Sequence, residues 1–290
     1  MLDWIIEDIE EWIRDLLSGI ILTNLQTMFE DVNEKTADIA TQVGQTPSGW
    51  NGSIYSFIHS ISETVVLPIA GMIITFVLCY ELISMLTEKN NMHEIDTWMF
   101  FKYFFKMWVA VYLVSNTWNI TMAVFDVGQS IVNSASGIIS GSATVDWGSQ
   151  IANFNNTLDT LEIGELATLA LESMLVSTCM KILSVVITVI VYGRMIEIYL
   201  YTSVAPIPFA TMTNREWGQI GTGYLRGLFA LAFQGFLMMI CVGIYAVLVA
   251  SVTVSTNLHS ALFGIIGYTV ILVFSLFKTG SLAKSIFNAH

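Results

Sequence analysis

Lys181 stands well inside an apolar run that extends from Glu172 to Tyr192. An ammonium at that depth of a bilayer faces protein or a water-filled path. It either lines a conduit, snorkels to an interface, or pairs with Glu172 or Glu81. Glu81 is the one charge in a second apolar run, a turn from its end, and Glu197 follows Arg194 by three residues, the spacing of a helical ion pair. Lys181, Glu81 and Glu197 are therefore the candidate polar site for conduction. Little else suggests chemistry. Cys79, Cys179 and Cys241 each lie in an apolar run and read as small buried hydrophobes, not as disulfide or metal partners. His59, His93, His259 and His290 are scattered without ligand spacing, and no CxxC, HExxH, Walker box, nucleophile elbow or acid–base carboxylate pair occurs. The sequence predicts no enzyme, no cofactor and no metal, and its dispersed methionines read as adaptable packing.

The elements that would position these residues are membrane helices. Of the 290 residues 54% are hydrophobic and only 12% charged, about half the charge of ordinary soluble domains, and the apolar residues are bunched. A net charge of −12 with no basic cluster excludes stable nucleic-acid binding. The fold class is all-α integral membrane protein: about five transmembrane helices, a re-entrant or interfacial hairpin and an N-terminal amphipathic helix. The spans fall near Val65 to Leu86, Met107 to Phe125, Glu172 to Tyr192, Leu228 to Ala250 and Leu258 to Phe277. Pro68 fits the first turn of the first span. "FFKYFFK" before the second is an interfacial girdle, with Trp98, Lys102, Lys106 and Trp108 as anchors.

Lys89, Lys102 and Lys106 put the first connection inside, whereas no Lys or Arg occurs from Met107 to Met180, which puts that loop outside. Arg194, Lys278 and Lys284 mark inner ends, so the N-terminus lies outside and the C-terminus inside. "IYLYTSVAPIPFATMTNREW" then begins and ends on one side. Pro206 and Pro208 bend it as a hairpin near 198–214 whose freed backbone groups need protein or a wet cavity. If the end of the third span were placed differently, this stretch would be a short kinked sixth span.

At the N-terminus Leu2, Ile5, Ile9, Ile13, Leu16 and Ile20 recur at helical spacing among Asp3, Glu7, Asp8, Glu10, Glu11 and Asp15. The helix extends to about Phe29, and its acidic face favours docking on the protein's own body or a partner subunit over lipid. "GQTPSGWNGS" is a turn signal. Between Asp126 and Leu171, Gly128, Ser130, Ser134 and Gly137 form a small-residue segment suited to close subunit packing. Gly223 and Gly227 make a weak GxxxG. The expected organisation is 1–64, an acidic extracytoplasmic helical region; 65–125, two spans; 126–171, an extracytoplasmic loop, Asp146 among its acidic residues, with helical segments; and 172–290, three spans with the hairpin.

"ATQVGQTPSGWN", "LPIAGMIITFVLCYELISMLTEKNNMHEIDTWMFFKYFFKMWVAVYLV" and "AVFDVGQSIVNSASGII", in that order, resemble the TrbL/VirB6-type polytopic proteins of conjugative elements in Gram-positive bacteria, most strongly over 39–140. The resemblance implies a cytoplasmic-membrane component of a type IV secretion machine that moves DNA between cells. It implies a homo-oligomeric, ring-like channel or scaffold subunit working with a VirB4-like ATPase and other secretion subunits, in contact with membrane lipids and with DNA in transit. It also implies about five spans, N-out and C-in, and no catalytic motif to transfer. The role of the long soluble C-terminal extension of some relatives is not carried over. The alternatives are a stand-alone small-solute transporter or channel, with Lys181 and the Pro206–Pro208 bend as its site, and a purely structural assembly platform. An odd span number and the absence of an internal repeat speak against a duplicated transporter.

Overall fold

Long apolar runs in a bilayer leave the backbone one local way to satisfy its amides, and among the described residues every regular element is a helix. The computed structural model describes residues 3–87, 97–140, 154–252 and 258–289. Lys89, His93, Asp146, His290 and the rest of the outer-loop stretch 141–153 lie outside them. The helices are α1 (Asp3–Val43), α2 (Pro47–Trp50), α3 (Gly52–Ile61), α4 (Leu67–Thr87), α5 (Thr97–Ser115), α6 (Thr117–Ser140), α7 (Ile163–Ser203), α8 (Pro206–Thr211), α9 (Gly218–Val252) and α10 (Leu258–Ile286).

Among the described residues four helical stretches are long and apolar enough to cross a membrane: Gly52–Thr87, Ile163–Ser203, Gly218–Val252 and Leu258–Ile286. The expected second span is not among them, because it is divided at Asn116 between α5 and α6. The side chains there compete with the backbone: Asn116 Nδ2 donates to the Tyr112 carbonyl, and Thr117 Oγ1 to those of Leu113 and Val114. Backbone bonds from Asn116 N–H to Tyr112 O and from Ile120 N–H to Asn116 O carry the hydrogen-bond ladder across the break. The first span also begins earlier than expected. Pro68 lies within a continuous helical stretch, and the turn before it, Ser62–Val66, is π-helical, closed by a Leu67 N–H bond to Ser62 O. A proline lacks the donor for the preceding turn, and a widened turn is one way to absorb that loss.

The chain divides into two compact units. One comprises Met1–Val43, Asn133–Val191 and Met238–Lys278. Here α1 extends to Val43, well past Phe29. Arg14 donates to the carbonyls of Asp159 and Leu161, Asn24 to Ser173 Oγ at 2.9 Å, and Lys35 to Thr188 Oγ1 at 3.4 Å. The partners advance together along both segments, so α1 runs parallel to the start of α7, beside the expected third span. Tyr245 bonds Thr269 at 2.9 Å, and a Cβ on Gly264 would touch Val252 at 3.1 Å. That pairing runs the opposite way, as in an antiparallel helix hairpin.

The other unit comprises Gly44–Val132, Tyr192–Leu237 and Thr279–His290. Its core gathers Ala70, Ile74 and Leu78 of α4, Ala110 and Val114 of α5, Ala205, Phe209 and Ala210 around α8, and Tyr224 of α9. Thr46 and Asn51 cap α2 and α3 through side-chain oxygens that accept amides of Gly49 and Ile54, which is how the "GQTPSGWNGS" turn is built. Within the unit, the end of α7 and the start of α9 are antiparallel: Tyr201 meets Tyr224 and Gly227, Met195 and Ile198 meet Leu228 and Leu231, and Arg194 meets Gly235. The segment between them therefore returns on itself. Pro206 and Pro208 occupy the first turn of α8, where the missing donors would have had no helical partner. Protein covers the turn, since Ala205, Pro206, Phe209, Ala210 and Thr211 are buried and α8 packs on α4 and α5.

Candidate functional site

A polar cluster of the second unit lies where the returning chain enters α9. Asn214, buried, caps that helix: its Oδ1 accepts the amides of Glu216 at 2.8 Å and Trp217 at 2.9 Å. Its Nδ2 reaches Glu81 Oε2 at 3.4 Å, and Lys106 donates to Glu81 Oε1 at 2.6 Å. Tyr80 donates to Glu216 at 3.0 Å, while Trp217 stacks on Phe76 and Tyr80. Tyr80, Glu81, Ser84, Met85, Asn214, Arg215 and Glu216 line a cavity of about 350 Å³. Of this cluster the sequence offered Glu81 and Lys106. The Asn214 cap was missed, although Asn followed by Glu and Trp before an apolar helix is a readable start signal.

Of the roles open to Lys181, the pair with Glu172 or Glu81 is not formed among the described residues. Glu81 is held by Lys106 and Asn214, and Glu172 by His259 Nδ1, so neither anticipated counter-ion is free for it. Lys181 is exposed on α7, with no ion pair or hydrogen bond to any described residue. The expected Arg194–Glu197 pair is also replaced: Glu197 Oε1 takes Lys284 at 3.1 Å. Arg194 turns inward instead and is 7% exposed. Its Nε has no protein partner among the described residues, and its Nη2 lies 2.8 Å from where a Cβ on Gly235 would sit. A side chain at position 235 would make the guanidinium shift. A buried cation that makes no ion pair within the described residues is costly, and nothing local in the sequence distinguished Arg194 from a marker of the inner boundary.

The small residues do not form one face. Gly128 packs on α9, where its Cβ would meet the Ala232 carbonyl oxygen at 3.0 Å. At about 100° per residue, Ser130, Ser134 and Gly137 lie on the opposite side of α6, and all three are exposed. The tight glycines of α9 are not the GxxxG pair. A Cβ on Gly221 would lie 2.5 Å from the Pro208 carbonyl oxygen and one on Gly227 2.0 Å from the Tyr201 hydroxyl, whereas Gly223 faces open space. Tyr201 and Tyr224 lock this contact, each hydroxyl donating to the other's carbonyl, at 3.1 and 2.7 Å, with the rings stacked 4.4 Å apart.

The anchors form an aromatic face on α5. Trp98, Phe101, Phe104, Phe105, Trp108 and Tyr112 are exposed, and Lys102 Nζ lies 5.7 Å from the Trp98 ring. Lys106 instead faces Glu81. All three cysteines are free; Cys79 is exposed and the other two are half-buried, so none has the full burial expected of it. Among the described residues no three His, Cys, Asp or Glu side chains gather as a metal site.

A family model described as TrbL/VirB6 plasmid conjugal transfer like protein matches residues 32–206. No curated protein and no solved structure matches the chain.

Proposed function

This chain belongs to the TrbL/VirB6 plasmid conjugal transfer like family, and from that membership we propose that it is a homo-oligomeric channel or scaffold subunit of a conjugative type IV secretion machine. The carrying observation is the family match over 32–206, which runs from α1 through the first spanning stretch and α7 to the proline turn. Four helices among the described residues, long and apolar enough to cross a bilayer, make it a multi-pass membrane protein. It sits in the cytoplasmic membrane, N-terminus outside and C-terminus inside, with α5 and α6 together forming a bent fifth crossing. The Trp98–Trp108 face anchors the inner interface. Ser130, Ser134 and Gly137 are available for contact with a neighbouring copy. Energy comes from a VirB4-like ATPase, and the acidic chain holds no DNA stably while it passes.

Lys181 lines the path or meets the neighbouring copy in that assembly. Its exposure and its lack of a partner support this reading. The test is imaging of the purified protein in native-lipid nanodiscs, paired with mating assays. A closed ring with Lys181 inward or at a subunit contact, and mating that Lys181→Arg retains and Lys181→Met impairs, is the expected result. A monomer that moves small solutes across liposomes without partners would replace this reading with a transporter.

A further inference from the structure

The first turns of α1 carry an apolar stripe that the chain leaves uncovered. Trp4, Ile5, Ile9, Trp12 and Leu16 are exposed, Trp12 at 63%. Farther along the same helix Ile21, Leu25, Met28, Phe29, Val32, Ile39 and Val43 are buried. At about 100° per residue, the buried set lies roughly 170° around the axis from the Ile5, Ile9, Trp12 and Leu16 stripe. Arg14 is on the buried side, where it donates to the carbonyls of Asp159 and Leu161. The helix is therefore already seated on its own unit by one face, and the exposed stripe points away from it. This removes its own unit as the cover expected for that stripe.

Three occupants remain, and charge separates them. Asp8 and Asp15 flank the stripe on one side, Glu11 and Glu10 lie beyond its two edges, and Glu7 falls on the far side of the helix, all exposed. The one cation of these turns, Arg14, is engaged with the body. Anionic lipid would be repelled, since surface-lying helices hold such membranes with basic faces. A second copy of α1 would set the same carboxylates against each other. A basic surface is drawn to them. We propose that the exposed stripe of α1 is a docking site for a helix of a different protein, one with an apolar face flanked by Lys and Arg. The stripe precedes residue 32, outside the family match, so it does not rest on the channel reading.

The test uses the full-length protein in neutral phosphatidylcholine nanodiscs with benzoylphenylalanine at position 12 in place of Trp12. Two synthetic helical peptides share one Leu/Ile stripe, flanked in one by Lys and in the other by Glu. The Lys-flanked peptide should crosslink about tenfold better at low salt, with the advantage shrinking at high salt. The D8K/D15K double variant should abolish that preference. Equal crosslinking of the two peptides overturns the proposal, as does a main product that joins two copies of this chain or links it to lipid. So does equal labelling from the same probe at Ser18, on the body side of the helix.

Discussion

The proline turn between α7 and α9 and the opening turns of α1 are both unusual in sequence, and they differ in what they leave undone. The turn has an irregular backbone, two prolines and a reversal of direction, yet its residues are buried and its ends are held by the Tyr201–Tyr224 lock and the Asn214 cap. The start of α1 is regular helix, yet Trp4, Ile9, Trp12 and Leu16 stand in the open. Irregular backbone is thus no guide to where a molecule is incomplete. Uncovered apolar surface beside unbalanced charge is the better guide.

Substitutions can break that comparison. The largest effect is expected from Gly221→Ala, because the new methyl would meet the backbone of Pro208 and the chain must shift to admit it. Overpacking of this kind costs about 1–3 kcal/mol or more, read as a lower SDS fraction at the unfolding midpoint in detergent. Gly227→Ala comes next: its methyl would displace the Tyr201 hydroxyl, a side chain that can rotate away, at the loss of one hydrogen bond and some packing. Tyr224→Phe keeps the stacked rings and removes one bond, about 1 kcal/mol. In a double-mutant cycle with Tyr201→Phe the two losses should couple. Trp12→Ser should leave the midpoint of the isolated protein almost unchanged while impairing mating. A large drop in stability would mean that α1's stripe is covered by its own chain after all, and the contrast between the two regions would collapse.

The turn was legible because its signals are local. Pro206 and Pro208 restrict their own backbone, and the basic residues on either side set the direction of the chain. The glycines that make room for it were only half legible: Gly221 and Gly227 matter because of Pro208 and Tyr201, residues of other elements, and single-sequence spacing paired Gly227 with Gly223, which faces open space. The same limit explains the two cations of α7. Lys181 drew attention by its depth in an apolar run, but Arg194 is the one that packing buries, against a glycine forty-one positions along the chain. The apolar stripe of α1 was visible from periodicity. Its second, buried face was not, because Ile21, Leu25, Met28 and Val32 are interleaved with Asn24, Gln26, Asp31 and Asn33.

The π-helical turn at Ser62–Val66 also sets phase. An extra residue in one turn rotates everything before it by about 100° relative to everything after it, much as one added tooth re-times a gear. Upstream, that timing points Tyr55 at Trp118, whose Nε1 donates to its hydroxyl at 2.9 Å; downstream, it points Ala70 and Ile74 at the buried turn. Removing one residue from 62–66 would leave α4 seated and swing α3 out of mesh, so the helix would stay intact while its two ends disagreed about which way they face.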